Sequence, residues 1–334
     1  MAQEKSRCAW LFFLFLIAIT KSVAQAPSAL LLVLEKNDQS LAIVDPDHLA
    51  VIGRVNAGED PHEIAVSEDG KLAYISNYGA FSRPLHTLSV VDIVGRKSLP
   101  AVELGPLLAP HGLAMRNGHV YFTAEGSKSI GRYAPGIQRV DWTLGLGQNR
   151  THMLVVSGDE RRIFTSNVNS NTISILDRAD DADVSGWAQT AIPVGKGPEG
   201  FDVSPDGREL WAANSHDGTV SIIDVVSRKV IRTLILQTQM ANRLKFTPDG
   251  KRVLISDLRS GDLVVVDGVT RNEIKRIAVG HGAAGILVAP DGSRAYVAAS
   301  PDDNVAVVDL KTVSVSGRIA TGHGPDGMAW AIVK

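Results

Sequence analysis

From residue 29 onward the chain reads as short apolar runs of four to seven residues separated by polar turns, and no stretch sustains a helical period. Lys71–Ser76, Thr219–Asp224 and Arg294–Ala299 are typical: Val, Ile, Leu and Tyr are concentrated there, and Asp, Asn, Gly or Pro lies close by. Such segments predict strands. Many of the turns follow one pattern, as in Ser67-Glu68-Asp69-Gly70, Ser204-Pro205-Asp206-Gly207, Thr247-Pro248-Asp249-Gly250 and Ala289-Pro290-Asp291-Gly292. They predict hairpin turns, because glycine accepts positive φ and Asp or Asn tolerates it.

The pattern repeats. A strand ending in aspartate recurs at Asp45, Asp92, Asp177, Asp224, Asp267 and Asp309, with a degenerate copy at Ala134, at intervals of 47, 42, 43, 47, 43 and 42 residues. Four short strands in about 43 residues, repeated, predict the blades of a β-propeller. The two ends of the chain complete the count. Gly322–Trp330 matches an innermost strand with nothing after it, and Ala29–Glu35 matches a second strand with no first strand before it. The expected fold is therefore all-β: seven four-stranded blades, with the ring closed by N-terminal strands pairing with the C-terminal strand and no free sheet edge left at the seam. Residues 25–334 form this single domain.

Pro61–Asn77 and Pro198–Asn214 follow the pattern Pro-x-x-Ile-Ala-Val-Ser-x-Asp-Gly then Tyr-Val-x-Asn, and a Val-x-Val-Ile-Asp strand comes next. In this the chain resembles the YVTN-type β-propeller repeat family over essentially all of residues 29–333. It departs from the pattern in the third blade, at Ala134 and the shortened turn at Gly118. The resemblance implies the fold; this scaffold hosts binding proteins, electron-transfer partners and enzymes, so it does not name a function.

Residues 1–26 read differently. Lys5 and Arg7 precede an apolar run, Ala9 to Ile19, and Ser22-Val23-Ala24 offers small residues for cleavage, which predicts a signal peptide over 1–24. The competing reading, a membrane anchor, needs roughly 20 apolar residues. The expectation is export to the periplasm or the extracellular space, with no membrane span in the mature chain. Cleavage removes Cys8, the one cysteine, so any metal must be held by His, carboxylate or backbone oxygen. It also shifts the formal charge from −2 to −4, with 31 basic and 35 acidic residues left. An acidic chain with 5 % aromatic residues lacks the basic, aromatic groove of a nucleic-acid binder, so no nucleic-acid partner is expected. No Gly-x-Ser-x-Gly elbow, phosphate-binding loop or haem-attachment motif is present.

Repeated Asp and Asn residues are expected to cap turns, including Asn77, Asn167 and Asn214. Function should lie where the repeats differ. Two residues before the apolar triplet of each innermost strand, one position enters the central channel; around the ring it reads His62, His111, His152, Glu199, Asn242, Ala284 and Asp326. Three of nine histidines at one of seven equivalent points, followed by glutamate, suit a divalent transition metal such as Zn, Cu, Fe, Mn or Ni, with open positions for water or substrate. The alternative use of these histidines is inter-blade hydrogen bonding. Arg83 in an enlarged loop from Tyr78 to His86, Arg150, Arg243 and His216 are candidate substrate-binding residues at the same end, since a guanidinium binds a carboxylate through two hydrogen bonds. Two functions follow: a monomeric exported propeller that binds a metal ion and a small anionic molecule or protein partner on its channel face, or a metal-dependent lactonase-type hydrolase or lyase with Glu199 as ligand or general base. A metal-free interaction scaffold is the third.

Overall fold

The runs predicted as strands fold as strands. The computed structural model describes Met1 and residues 29–80, 82–179 and 186–333, and among these there are 28 strands, four 3₁₀ turns of three residues and no α-helix. The strands make seven four-stranded antiparallel sheets. Blade 1 joins Leu30–Glu35, Ser40–Asp45 and Ala50–Asn56 to Pro325–Ala331 from the chain's end. Blades 2 to 7 then occupy residues 61–103, 110–145, 151–193, 198–235, 241–278 and 283–320. Each blade's innermost strand packs against the next, and that of blade 1 returns to blade 2, so the ring closes.

The seam is as the termini predict: Leu31 lies opposite Trp330 and Val33 opposite Met328. Glu35, fully buried, locks it by accepting hydrogen bonds from the Gly322 amide at 2.6 Å, the Ser40 hydroxyl at 2.5 Å and Arg54 Nε at 3.0 Å. Burial of this carboxylate is tolerated because its lone pairs are filled, one by a cation.

Seven apolar clusters fill the seven blade interfaces; Leu32 and Ile43 of blade 1 meet Ile75 and Val91 of blade 2, for example, and Trp211 of blade 5 meets Ile255 of blade 6. A middle strand is covered on both faces, which is why Thr219–Asp224 and its equivalents are continuous apolar runs rather than alternating ones. The outermost strand buries far less: of Lys229–Ile235, Leu234 alone is buried.

The strand-end aspartates cap the following turns as expected. Asp45 accepts from the amides of Asp47 and His48, and Asp309 from that of Thr312. Asp177 instead pairs with Arg162 and Arg228. The recurring asparagines do something else: each donates sideways to hydroxyls on the third strand of its own blade, Asn77 to Thr87 and Ser89, Asn167 to Thr172 and Ser174, Asn214 to Thr219 and Ser221. Their amides are rungs between buried strands, where an unpaired amide would be costly.

The expected loop from Tyr78 to His86 is a hairpin extension. Leu72–Ala80 and Arg83–Asp92 keep pairing as far as Ala80 and Arg83, after an irregularity between Asn77 and Gly79 that bends the strand. The signal segment and Cys8 lie outside the described residues. No helix among the described residues is long and apolar enough to cross a membrane.

Candidate functional site

Each innermost strand carries an irregularity at the ring position. In blade 2, Pro61 pairs with Asn77 but Ile64 pairs with Ile75, so His62 and Glu63 share the space of one residue. The same slip occurs around His111, His152, Glu199, Asn242 and Ala284, and in blade 1 opposite Val33–Glu35. A bulge re-aims a side chain out of the sheet's alternation, here into the channel. In four blades the freed amide after the ring position is taken by a hydroxyl on the second strand: Ser76 for Glu63, Thr123 for Gly112, Ser166 for Met153 and Ser256 for Arg243. Thr123, Ser166 and Ser256 then donate to the carbonyls of His152, Glu199 and Ala284 in the next blade. These hydroxyls fix each ring residue relative to its neighbour. Backbones come so close that a Cβ on Gly327 would overlap the His62 carbonyl oxygen.

The ring positions thereby converge. His62, His111, His152, Glu199, Asn242, Ala284 and Asp326 all line one cavity of about 540 Å³, together with Lys36, Arg150 and Arg243. The rings of His111 and His152 lie 3.8 Å apart and those of His62 and His111 5.0 Å apart. His152 is 3 % exposed; its Nδ1 lies 2.5 Å from Glu125 Oε1, and Tyr78 Oη donates to Glu125 Oε2 at 2.6 Å. With Glu125 holding Nδ1–H, the lone pair of His152 is on Nε2, which is buried, has no hydrogen-bond partner and lies 3.7 Å from Glu199 Oε1. His111 Nδ1 is equally buried and unpartnered. Ligand atoms of His111, Glu125 and His152 all lie within 4.8 Å of one another, a group able to hold a metal ion.

Burial and the surrounding histidines and arginines hold the His111 imidazole well below its usual range, so it stays neutral. Burial also pushes the Glu125 carboxyl up, but the hydrogen bonds from His152 and Tyr78 and the Arg150 charge outweigh it and keep it ionised. Asp326 is raised by burial. His62 is differently placed: Nδ1 meets the Asp60 carbonyl at 3.0 Å and Nε2 meets Lys36 Nζ at 2.6 Å. Burial and the Lys36 charge lower it to about 4.

Of the candidate arginines, Arg150 contacts both Glu125 and Glu199, at 3.6 and 3.5 Å, with about a third of its side chain exposed to the cavity. Arg243 is buried and spans the ring from blade 6 to pair with Glu63 of blade 2. It is a strut with its charge already matched. Arg83 is exposed on the hairpin, paired with Glu59, and His216 is exposed and packs over Gly197; neither lines the cavity. His281 and His323 sit outside it on Asp302 and Asp38.

Glu125, Tyr78 and Lys36 were not singled out by the sequence reading. All three come directly after the sixth residue of a second strand, where the other blades have Val168, Ser215, Leu258 and Ser300. Reading that position around the ring, as was done for the histidines, would have found them.

No family model matches the chain, and no curated protein does. Solved structures share its fold. A functionally unknown protein from Desulfotomaculum acetoxidans is 12 % identical, with a TM-score of 0.74, over 91 % of this chain and 99 % of that one. The periplasmic gluconolactonase of Pseudomonas aeruginosa is 16 % identical, with a TM-score of 0.72, over 92 % and 99 %. Kuenenia stuttgartiensis hydrazine synthase is 18 % identical, with a TM-score of 0.68, over 80 % and 88 %. At these identities the likeness is one of fold.

Proposed function

We propose that the channel mouth is a metal site that presents a divalent transition metal ion to a small anionic molecule. The observation that carries this is the pair of buried, unpartnered imidazole nitrogens, His111 Nδ1 and His152 Nε2, on stacked rings, the second of them 3.7 Å from the Glu199 carboxylate. Orphaned buried ring nitrogens are costly unless something fills them, and a histidine that gives its other N–H to a carboxylate, as His152 does to Glu125, is in the usual posture of a metal ligand. Charge agrees: at this end the three cations Lys36, Arg150 and Arg243 are outnumbered by the carboxyl groups of Asp60, Glu63, Glu125 and Glu199, with Asp326, raised by burial, beside them. His111, His152 and Glu199 would hold the ion, Glu125 would orient His152, and His62 would join as a third nitrogen once Lys36 leaves it. Arg150 would bind the anion.

A second reading, a lactonase-type hydrolase, is favoured by the gluconolactonase that shares the fold and by Glu199, close enough to the same point to act as a general base. When bound, the ion would supply Lewis-acid polarisation of a carbonyl. The repeat pattern supports membership of the YVTN-type family, and the reading of residues 1–24 supports export.

Elemental analysis of tag-free protein, before and after reconstitution, tests the site. One ion per chain is expected in the wild type, and less than a tenth of that in the His111→Ala, His152→Ala double variant, with thermal unfolding showing both to be folded. A wild type that takes up no stoichiometric metal overturns the reading. Turnover of a panel of lactones by the loaded protein separates enzyme from binder.

A further inference from the structure

The channel mouth has an annex. A second cavity of about 670 Å³ shares Arg150 and borders on Glu125, and its opposite wall is Tyr78, Ala80, Pro84 and Leu108. That wall exists because blade 2 departs from the repeat. Its second strand, Leu72–Ala80, has nine residues where the second strands of the other six blades have six. The extra turn of hairpin folds back through Gly79 opposite Pro84 and leans over the end of the channel where Arg150 emerges.

The chemistry of the two walls differs. Ala80, Pro84 and Leu108 offer no side-chain donor or acceptor and the Tyr78 hydroxyl is taken by Glu125, so this side suits apolar groups, while Asn149 and Asn169 add polar groups on the Arg150 side. Arg150 has five N–H donors in a planar fork, and its contacts with Glu125 and Glu199 are long, at 3.6 and 3.5 Å. Its guanidinium therefore stands at the junction of the two cavities with capacity for an incoming carboxylate.

We propose that the annex is a specificity subsite, and that the ligand is a carboxylate carrying an apolar arm: the carboxylate at Arg150 and the arm along the blade 2 hairpin. This rests on the reading of the channel mouth as a ligand site, and it replaces "small anionic molecule" with an amphipathic acid. Arg150 binds the head, while Leu108 and Ala80 select the arm.

Binding of acetate, gluconate and 4-phenylbutyrate to the mature chain, measured by titration calorimetry with and without Zn²⁺, tests the proposal. We expect 4-phenylbutyrate to bind at least tenfold tighter than either of the others. In the Leu108→Asn variant, which adds polarity without charge, the ratio of 4-phenylbutyrate to acetate affinity should fall to about one. Ala80→Asn, on an exposed position of the hairpin, should lower the same ratio if Leu108→Asn does not fold. Equal affinities, a preference for gluconate, or an advantage that survives the folded variants would overturn the subsite. Zn²⁺ uptake with no arm preference sinks the subsite and leaves the metal site standing; an arm preference lost in these variants without Zn²⁺ uptake does the reverse.

Discussion

Six of the seven blades enter the channel through a residue in the left-handed region, immediately before the innermost strand, and they do so in two ways. In blades 5, 7 and 1 that residue is glycine: Gly197, Gly282 and Gly324, with φ of 66°, 62° and 67°. Neighbouring side chains close over these glycines, His216 on Gly197, Pro301 on Gly282 and Asn37 on Gly324. In blades 2, 3 and 4 the residue is Asp60, Ala109 or Arg150, with φ of 46°, 53° and 55°. These are the blades that carry the three histidines. Asp60 touches Lys36 and His62, and Arg150 touches Glu125 and Glu199. One backbone turn is relaxed on one arc of the ring and strained on the other, and two of the three strained residues bring a charge to the site. Positive φ at non-glycine residues also occurs in turns far from the channel, as at Leu49, Lys128 and Val313, so the strain by itself does not mark the site; what distinguishes Asp60 and Arg150 is the charge they bring to it.

Acid should separate the two arcs most strongly. His62 and His111 are held neutral by burial, His62 down to about 4 and His111 well below its usual range, whereas in the unfolded chain both titrate near 6.5. Between about pH 4 and 6.5 the unfolded state binds more protons, so their contribution is complete above pH 6.5 and is lost as the pH falls toward 4. For His62 the full effect is on the order of 3 kcal/mol. The groups around it, Lys36, Asp60, Glu63 and His111, all belong to this end of the channel. Exposed His48 and His323, raised by Asp45 and Asp38, act in the opposite sense, adding stability below pH 6.5. Denaturant unfolding of metal-free protein at pH 7 and 4.5 checks the balance. The wild type should lose stability on acidification and the His62→Gln, His111→Asn variant much less; equal losses would place the acid sensitivity elsewhere in the ring.

The glycine arc should fail by substitution. In Gly282→Ala the new Cβ would sit 2.5 Å from Pro301 Cδ at a φ of 62°, against a ring that cannot rotate away. Left-handed strain and overpacking together should cost about 2 kcal/mol, while metal content stays at the wild-type value. A Gly282→Ala variant as stable as the wild type would remove the steric half of the comparison.

How much of this was legible in the sequence depends on whether the information is local. Strand runs and Asp-Gly turns are local patterns that recur from blade to blade, so repetition averages out the ambiguity of any one copy, and the split closing blade then completes the count. The ring of His62, His111, His152 and Glu199 was legible for the same reason: symmetry converts spacings of 49, 41 and 47 residues into adjacency. Glu125 and Tyr78 were not read because they come after the sixth residue of a second strand, outside the aligned triplet, and Glu125 matters only through a contact with His152 across a blade boundary. The pairing of Arg243 with Glu63, 180 residues apart, has no sequence signature at all. Arg83 shows the converse. It lies in an enlarged segment at the functional end, but continued strand pairing carries it out to Glu59 and away from the cavity.

Arg150 allows the finest test, because two substitutions remove the same guanidinium and differ only in the backbone. Arg150→Ala and Arg150→Gly both leave Glu125 and Glu199 without their shared cation, so both should lose carboxylate affinity equally, by tenfold or more. Alanine keeps a Cβ at a φ of 55°, and glycine does not. The relief of left-handed strain exceeds the extra entropy that glycine loses on folding. The Arg150→Gly variant should therefore be more stable than the Arg150→Ala variant by about 1 kcal/mol, read as a difference in denaturation midpoint at unchanged slope. The same exchange at Ala109, Ala109→Gly, should gain a similar amount with no loss of carboxylate binding. If Arg150→Gly is no more stable than Arg150→Ala, the turn is not strained there, and the arginine is at this position for reasons of contact alone.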